Sequence, residues 1–82
     1  MESDTIKQMI EAGLPGSEVQ VTGDGTHFEA VIVSDAFAGR NSLARHRMVY
    51  TVLGDAMQSA IHALSMRTYT KAEWLVQSGV KS

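Results

Sequence analysis

The side chains of this 82-residue chain that titrate near neutral pH and bind metals are three histidines, His27, His46 and His62; there is no cysteine. Imidazole is the side chain whose ordinary pKa lies between pH 5 and 8, and it is also the commonest metal ligand. The missing thiols exclude disulfides, a thiolate nucleophile and any all-cysteine zinc or iron–sulfur site held by this chain alone. His27 follows Gly23-Asp24-Gly25-Thr26 and reads either as an exposed turn residue or as a ligand beside backbone that admits close approach. His62, between Ile61 and Ala63, reads as a hydrogen-bonded core or strand-edge histidine or as a ligand. His46, within Arg45-His46-Arg47, reads as part of a solvated helical face. His27 and His62 have no diagnostic metal spacing, and no His-x-x-x-His pair exists to complete the three or four protein ligands of a zinc site. If the two converge they half-coordinate a metal, and the other ligands come from a partner or a small molecule.

Other catalytic arrangements are weaker. Serines and threonines occur without a Gly-x-Ser-x-Gly turn. Asp24, Glu29 and Asp35 read as turn or edge residues rather than as paired acid and base. Gly23-Asp24-Gly25 precedes a strand, so the helix N-terminus that would cradle a phosphate is missing. An enzyme is not expected. For nucleic acid the candidates are Arg40, Arg45, His46 and Arg47, joined by Arg67, which form either a small phosphate-binding patch or a solvated helix start. Gly13-Leu14-Pro15-Gly16 is the one Gly-x-x-Gly spacing, and it connects a helix to a strand rather than the two helices of a KH clamp.

The elements that must position these residues follow from periodicity. Ser3 or Asp4 caps a helix whose Ile6, Met9 and Ile10 recur at helical spacing, with Gly13, Pro15 and Gly16 as its stop. Glu18 to Thr22 alternates as a strand, Gly23 to Thr26 turns the chain, and His27 to Ser34 returns as a second strand. Asp35 to Asn41 is irregular or a single turn. Ser42 caps a long helix over 43–59, with Val49, Val52, Leu53 and Ala56 on one stripe and Arg45, Arg47 and Asp55 reaching solvent. A third strand spans Ile61 to Tyr69. Thr70-Lys71-Ala72-Glu73 is a capping box that starts a last helix carrying Trp74 and Leu75, stopped by Gly79. The order is α, β-hairpin, α, β, α, with the helices on one face of a three-stranded sheet. Seven Lys and Arg against nine Asp and Glu give a net charge of −2, and 44% of residues are hydrophobic. This is the composition of one folded domain, residues 1–82, with no general attraction to polyanions. No apolar run approaches the roughly 20 residues of a membrane span. The acidic start, Met1-Glu2-Ser3-Asp4, is unlike a signal peptide, so a cytoplasmic location is the expectation.

Four separated segments carry a resemblance. Phe37-x-Gly39, Arg45-His46-Arg47-Met48-Val49-Tyr50, Ile61-His62-Ala63-Leu64-Ser65 and Thr68-Tyr69-Thr70-x-x-Glu73-Trp74 occur in the order found in the BolA-like family, which the chain resembles from about residue 4 to residue 76. The hairpin Val19 to Phe28, Val-x-Val-x-Gly-Asp-Gly-x-His-Phe, is similar to the family's short bacterial branch of the YrbA/IbaG type. The resemblance implies an α+β fold like type II KH domains, α-β-β-α-α-β-α with a three-stranded mixed sheet, if 35–41 holds the additional short helix.

The same resemblance implies a function. The expected partner is a monothiol glutaredoxin, with a bridging two-iron, two-sulfur (2Fe-2S) cluster. The partner's cysteine and a glutathione thiol would hold one iron, and this chain would hold the other. The family ligand from the C-terminal half falls on His62, and the hairpin ligand falls on His27. Histidine ligation at one iron occurs in Rieske centres, and a histidine-held cluster should be labile and suited to transfer. Arg45-His46-Arg47 matches the family's Arg-His-Arg motif, implying contact with glutaredoxin or glutathione, or support of the helix. Some family members are transcriptional regulators, so DNA or RNA binding is the alternative expectation. Whether the chain forms a homodimer without a partner is left open.

Overall fold

The computed structural model describes residues 2–24, 26–57 and 63–79. Two of the sequence expectations lie outside these residues: His62, and the 58–62 stretch that holds the expected end of the long helix and start of the third strand.

Helix α1, Ser3–Gly13, buries Ile6 and Ile10. Its N-cap is Glu2, which contributes its carbonyl to Thr5 and Ile6 but no side-chain bond. Ser3 and Asp4 therefore lie inside the first turn, where an acidic group suits the positive end of the helix dipole. Strands β1, Glu18–Gly23, and β2, Phe28–Val33, form an antiparallel hairpin. The second strand starts one residue later than expected, because His27 belongs to the turn: its carbonyl accepts from Asp24 N–H at 3.2 Å. A 3-10 turn at Asp35–Phe37 is the additional short helix of the 35–41 segment.

Helix α2, Ser42–Leu53, corrects two expectations. Its cap is Asn41 rather than Ser42, with the amide oxygen accepting from Ala44 N–H at 2.9 Å. It ends at Leu53 rather than Ser59, because Gly54 takes a positive φ of 56° that an L side chain resists, and a 3-10 turn, Gly54–Met57, follows. Strand β3, Leu64–Tyr69, lies parallel to β2, so the sheet is mixed with order β1-β2-β3. Thr70 and Glu73 form the expected capping box for α3, Lys71–Trp74, but the chain then widens into a π-helical turn, Leu75–Gly79.

Strand alternation sorts the sheet into two faces. Val19, Phe28, Ala30, Ile32 and Leu64 turn inward against Ile6, Ile10 and Leu14 of the first helical segment and Val49 and Leu53 of α2, with Phe37 fully buried in the same cluster. Gln20, Val31 and Arg67 share a row on the other face, as do Thr22, Glu29 and Ser65. The C-terminal segment departs from the expected one-sided layering: Trp74 borders a small hollow with Val31 and Val33 on this second face and stacks at a tilt on Tyr69, centroids 5.2 Å apart.

Candidate functional site

His27 stands exposed in the β1–β2 loop, over an open hollow lined by Thr22, Gly23, Asp24 and Glu29. The loop is built around one carboxylate oxygen. Asp24 Oδ1 accepts from the backbone N–H of Thr26 and of His27, both at 2.9 Å, and from the Thr26 hydroxyl at 2.9 Å. The His27 N–H, with the two donors of Thr26, holds the Asp24 carboxyl far below the usual range. Thr26 Oγ1 also lies 3.2 Å from His27 Nδ1. Asp24 is thus the turn residue the sequence suggested, while the contribution of Thr26 was missed; the Asp-x-Thr-His order was its available signal.

The register places Phe28 opposite Leu64, so the loop carrying His27 and the segment leading into β3 enter the sheet at the same end. In sequence, His62 precedes Leu64 by two residues. Among the described residues no group of three or more His, Asp or Glu side chains could hold a metal. His27 is one exposed nitrogen donor in a chain without thiols, and that donor chemistry fits partial ligation of a shared metal group rather than a self-contained site.

The basic residues do not form one patch. Arg45, expected to reach solvent, has a side chain only 12% exposed. Its Nε donates to Arg40 O at 2.8 Å, one terminal nitrogen to Thr68 O at 3.3 Å and Glu73 Oε1 at 2.7 Å, and the other to Glu73 Oε2 at 3.0 Å. The guanidinium also lies over the Phe37 ring. Glu73, pulled from 4.5 to about 2 by Arg45 and by the Thr70 N–H, is the partner that reading each motif alone did not supply. Arg40 and Arg47 are exposed and His46 half-buried. Arg67 lies on the sheet face opposite α2, with Glu29 and Val31, so it does not join the others.

No helix among the described residues is long and apolar enough to cross a membrane. The family model for BolA-like proteins matches residues 5–73. The chain is 36% identical over 75 residues to the acid stress protein IbaG of Escherichia coli K12, covering 90% of this chain and 89% of that one. It is 46% identical over 52 residues to the DNA-binding transcriptional regulator BolA of the same organism, covering 63% of this chain and 50% of that one; it spans about half that regulator's length. A BolA homologue from Coxiella burnetii superposes with a TM-score of 0.80 at 52% identity, over 90% of this chain and 96% of the other. Motif order, mixed sheet and relatives agree: the chain belongs to the BolA-like family, with the bacterial BolA and IbaG proteins among its relatives.

Proposed function

We propose that this chain is a non-enzymatic cytoplasmic adaptor that docks on a monothiol glutaredoxin and co-ligates or relays a 2Fe-2S cluster. The observation that carries the reading is the exposed His27 beside the parallel entry of β2 and β3, where Phe28 pairs with Leu64 and His62 lies two residues upstream in sequence. His27 and His62 would hold one iron, and the absent thiols make the partner and glutathione the source of thiolate. Such a cluster would supply a transferable iron–sulfur unit, and this chain would contribute imidazole donors, neutral ligands that give up iron more readily than anionic thiolate. The test mixes the chain with a monothiol glutaredoxin, iron, sulfide and glutathione and reads the visible spectrum. A new spectrum that reverts towards that of the glutaredoxin alone on His62→Ala is expected; an unchanged complex spectrum in that variant overturns the ligand assignment.

A second reading is favoured by the name of one relative, a DNA-binding transcriptional regulator, and by the exposed Arg40 and Arg47. It makes the chain a nucleic-acid-binding regulator that contacts phosphates through α2 and the turn before it, and its signature is salt-sensitive binding to DNA or RNA.

A further inference from the structure

We infer that Asp24 and Thr26 set the tautomer of His27, placing the ring proton on Nδ1 and leaving Nε2 as the nitrogen that meets a metal. The use of that nitrogen rests on the ligand role proposed above; the tautomer does not.

The argument is one of hydrogen counting. A carboxylate only accepts hydrogen bonds, and a threonine hydroxyl has a single hydrogen to give. Two backbone N–H groups, which can only donate, already converge on Asp24 Oδ1, so this oxygen is an acceptor. The 2.9 Å contact from Thr26 Oγ1 to Asp24 Oδ1 therefore uses the hydroxyl hydrogen. What remains on Oγ1 is a lone pair, so its 3.2 Å contact with His27 Nδ1 is a hydrogen bond only if the ring nitrogen donates. A neutral imidazole with Nδ1–H carries its lone pair on Nε2. The side chain is exposed, so a partner-borne metal can reach that atom without displacing protein. The chain Asp24–Thr26–His27 has the logic of the outer partners that fix the tautomer and ring orientation of metal-bound histidines, here relayed through a hydroxyl. Thr26 is a positioning residue, and Asp24 orients it while pinning the loop through two backbone N–H groups.

Long-range 1H–15N NMR on the isolated, metal-free chain at pH 8 reads the tautomer directly. His27 is expected to show a protonated Nδ1 and an unprotonated Nε2. Thr26→Val should erase that bias and Thr26→Ser should keep it. A wild-type ring protonated on Nε2, or a Thr26→Val ring identical to wild type, overturns the assignment whatever any cluster does. In the complex loaded with glutaredoxin, iron, sulfide and glutathione, Thr26→Val should lose the visible chromophore at least roughly tenfold faster than wild type and Thr26→Ser at the wild-type rate. An unchanged spectrum for His27→Ala in that complex overturns the use of Nε2 as ligand, while the NMR result still decides the tautomer on its own.

Discussion

Arg45 and Glu73, 28 residues apart in sequence, form a two-point ion pair across the start of α3, at 2.7 and 3.0 Å. The Glu73 oxygen that takes the shorter of these bonds also accepts from Thr70 N–H at 3.0 Å. One carboxylate therefore closes the α3 capping box and neutralises the best-buried arginine of the Arg45-His46-Arg47 motif. Arg45 reaches in the other direction to Arg40 O and Thr68 O, so α2, the outer edge of β3 and α3 are held by a single guanidinium.

The pH dependence of this clasp has a definite sign. Glu73 has its pKa depressed from 4.5 to about 2 by the Arg45 guanidinium and the Thr70 N–H. A depressed carboxylate contributes stability that is complete above its unfolded-state value and is lost as pH falls through the folded one. The Tm of the wild type should therefore be flat above about pH 5 and fall from there towards pH 2. Asp24 is depressed too, so the Glu73 share is isolated by comparison with Glu73→Gln. That variant should melt lower at pH 7, with the gap closing as pH approaches 2; a constant gap across the range would contradict the ionic origin.

The clasp also separates Arg45 from its neighbours. A lysine carries the charge but not the planar fork that meets two carboxylate oxygens and two carbonyls at once. Arg45→Lys should lower Tm and speed hydrogen exchange at Thr70 and Glu73, whose N–H groups lie in the capping box. Arg47→Lys, at an exposed position, should change neither.

Most of the fold was legible because local patterns carried it. The alternation of Val19 and Val21, the Asp-Gly turn and the Thr70–Glu73 box are each written within a few residues. What was not legible depended on distant partners or on one backbone angle. Arg45 reads as solvated until Glu73 is brought beside it by the return of β3, and Arg67 joins the basic cluster until register puts it on the opposite sheet face. The end of α2 was misplaced because its apolar stripe continues to Ala56, while the positive φ of Gly54 stops the helix at Leu53. At the candidate site, the type and position of His27 were visible, but the hydroxyl that orients its ring was not, since Thr26 matters only through the geometry of the loop.

The packing of α1 on α2 gives a prediction in which two effects oppose. Alanine has a higher helix propensity than glycine by about 1 kcal/mol, and Gly13 is the last residue of α1. A Cβ there, however, would clash with both methyl carbons of Val52 and lie 3.0 Å from its Cβ. Val52 is β-branched on a helix and has little rotamer freedom with which to yield. Overpacking of this kind costs about 1–3 kcal/mol, so Gly13→Ala should be net destabilising in denaturant unfolding. In a Val52→Ala background the same change should become neutral or stabilising, a coupling that a double-mutant cycle measures.

The nucleic-acid reading predicts an asymmetry between arginines that a test of the whole motif would blur. Each phosphate contact neutralised on duplex DNA adds about 0.9 to the slope of log affinity against log salt. If α2 and the turn before it are the contact surface, Arg40→Gln together with Arg47→Gln should lower that slope by about 2 and weaken binding uniformly across sequences. Arg67→Gln, on the far face of the sheet beside Glu29, should leave the slope unchanged. Arg45→Gln would weaken binding by loosening the clasp with Glu73 rather than by removing a phosphate contact, so its affinity should fall with Tm and its salt slope should hold. Titrations of labelled DNA over a range of salt concentrations distinguish these outcomes. An equal loss of slope for Arg67→Gln would place the contact on the sheet instead of on α2.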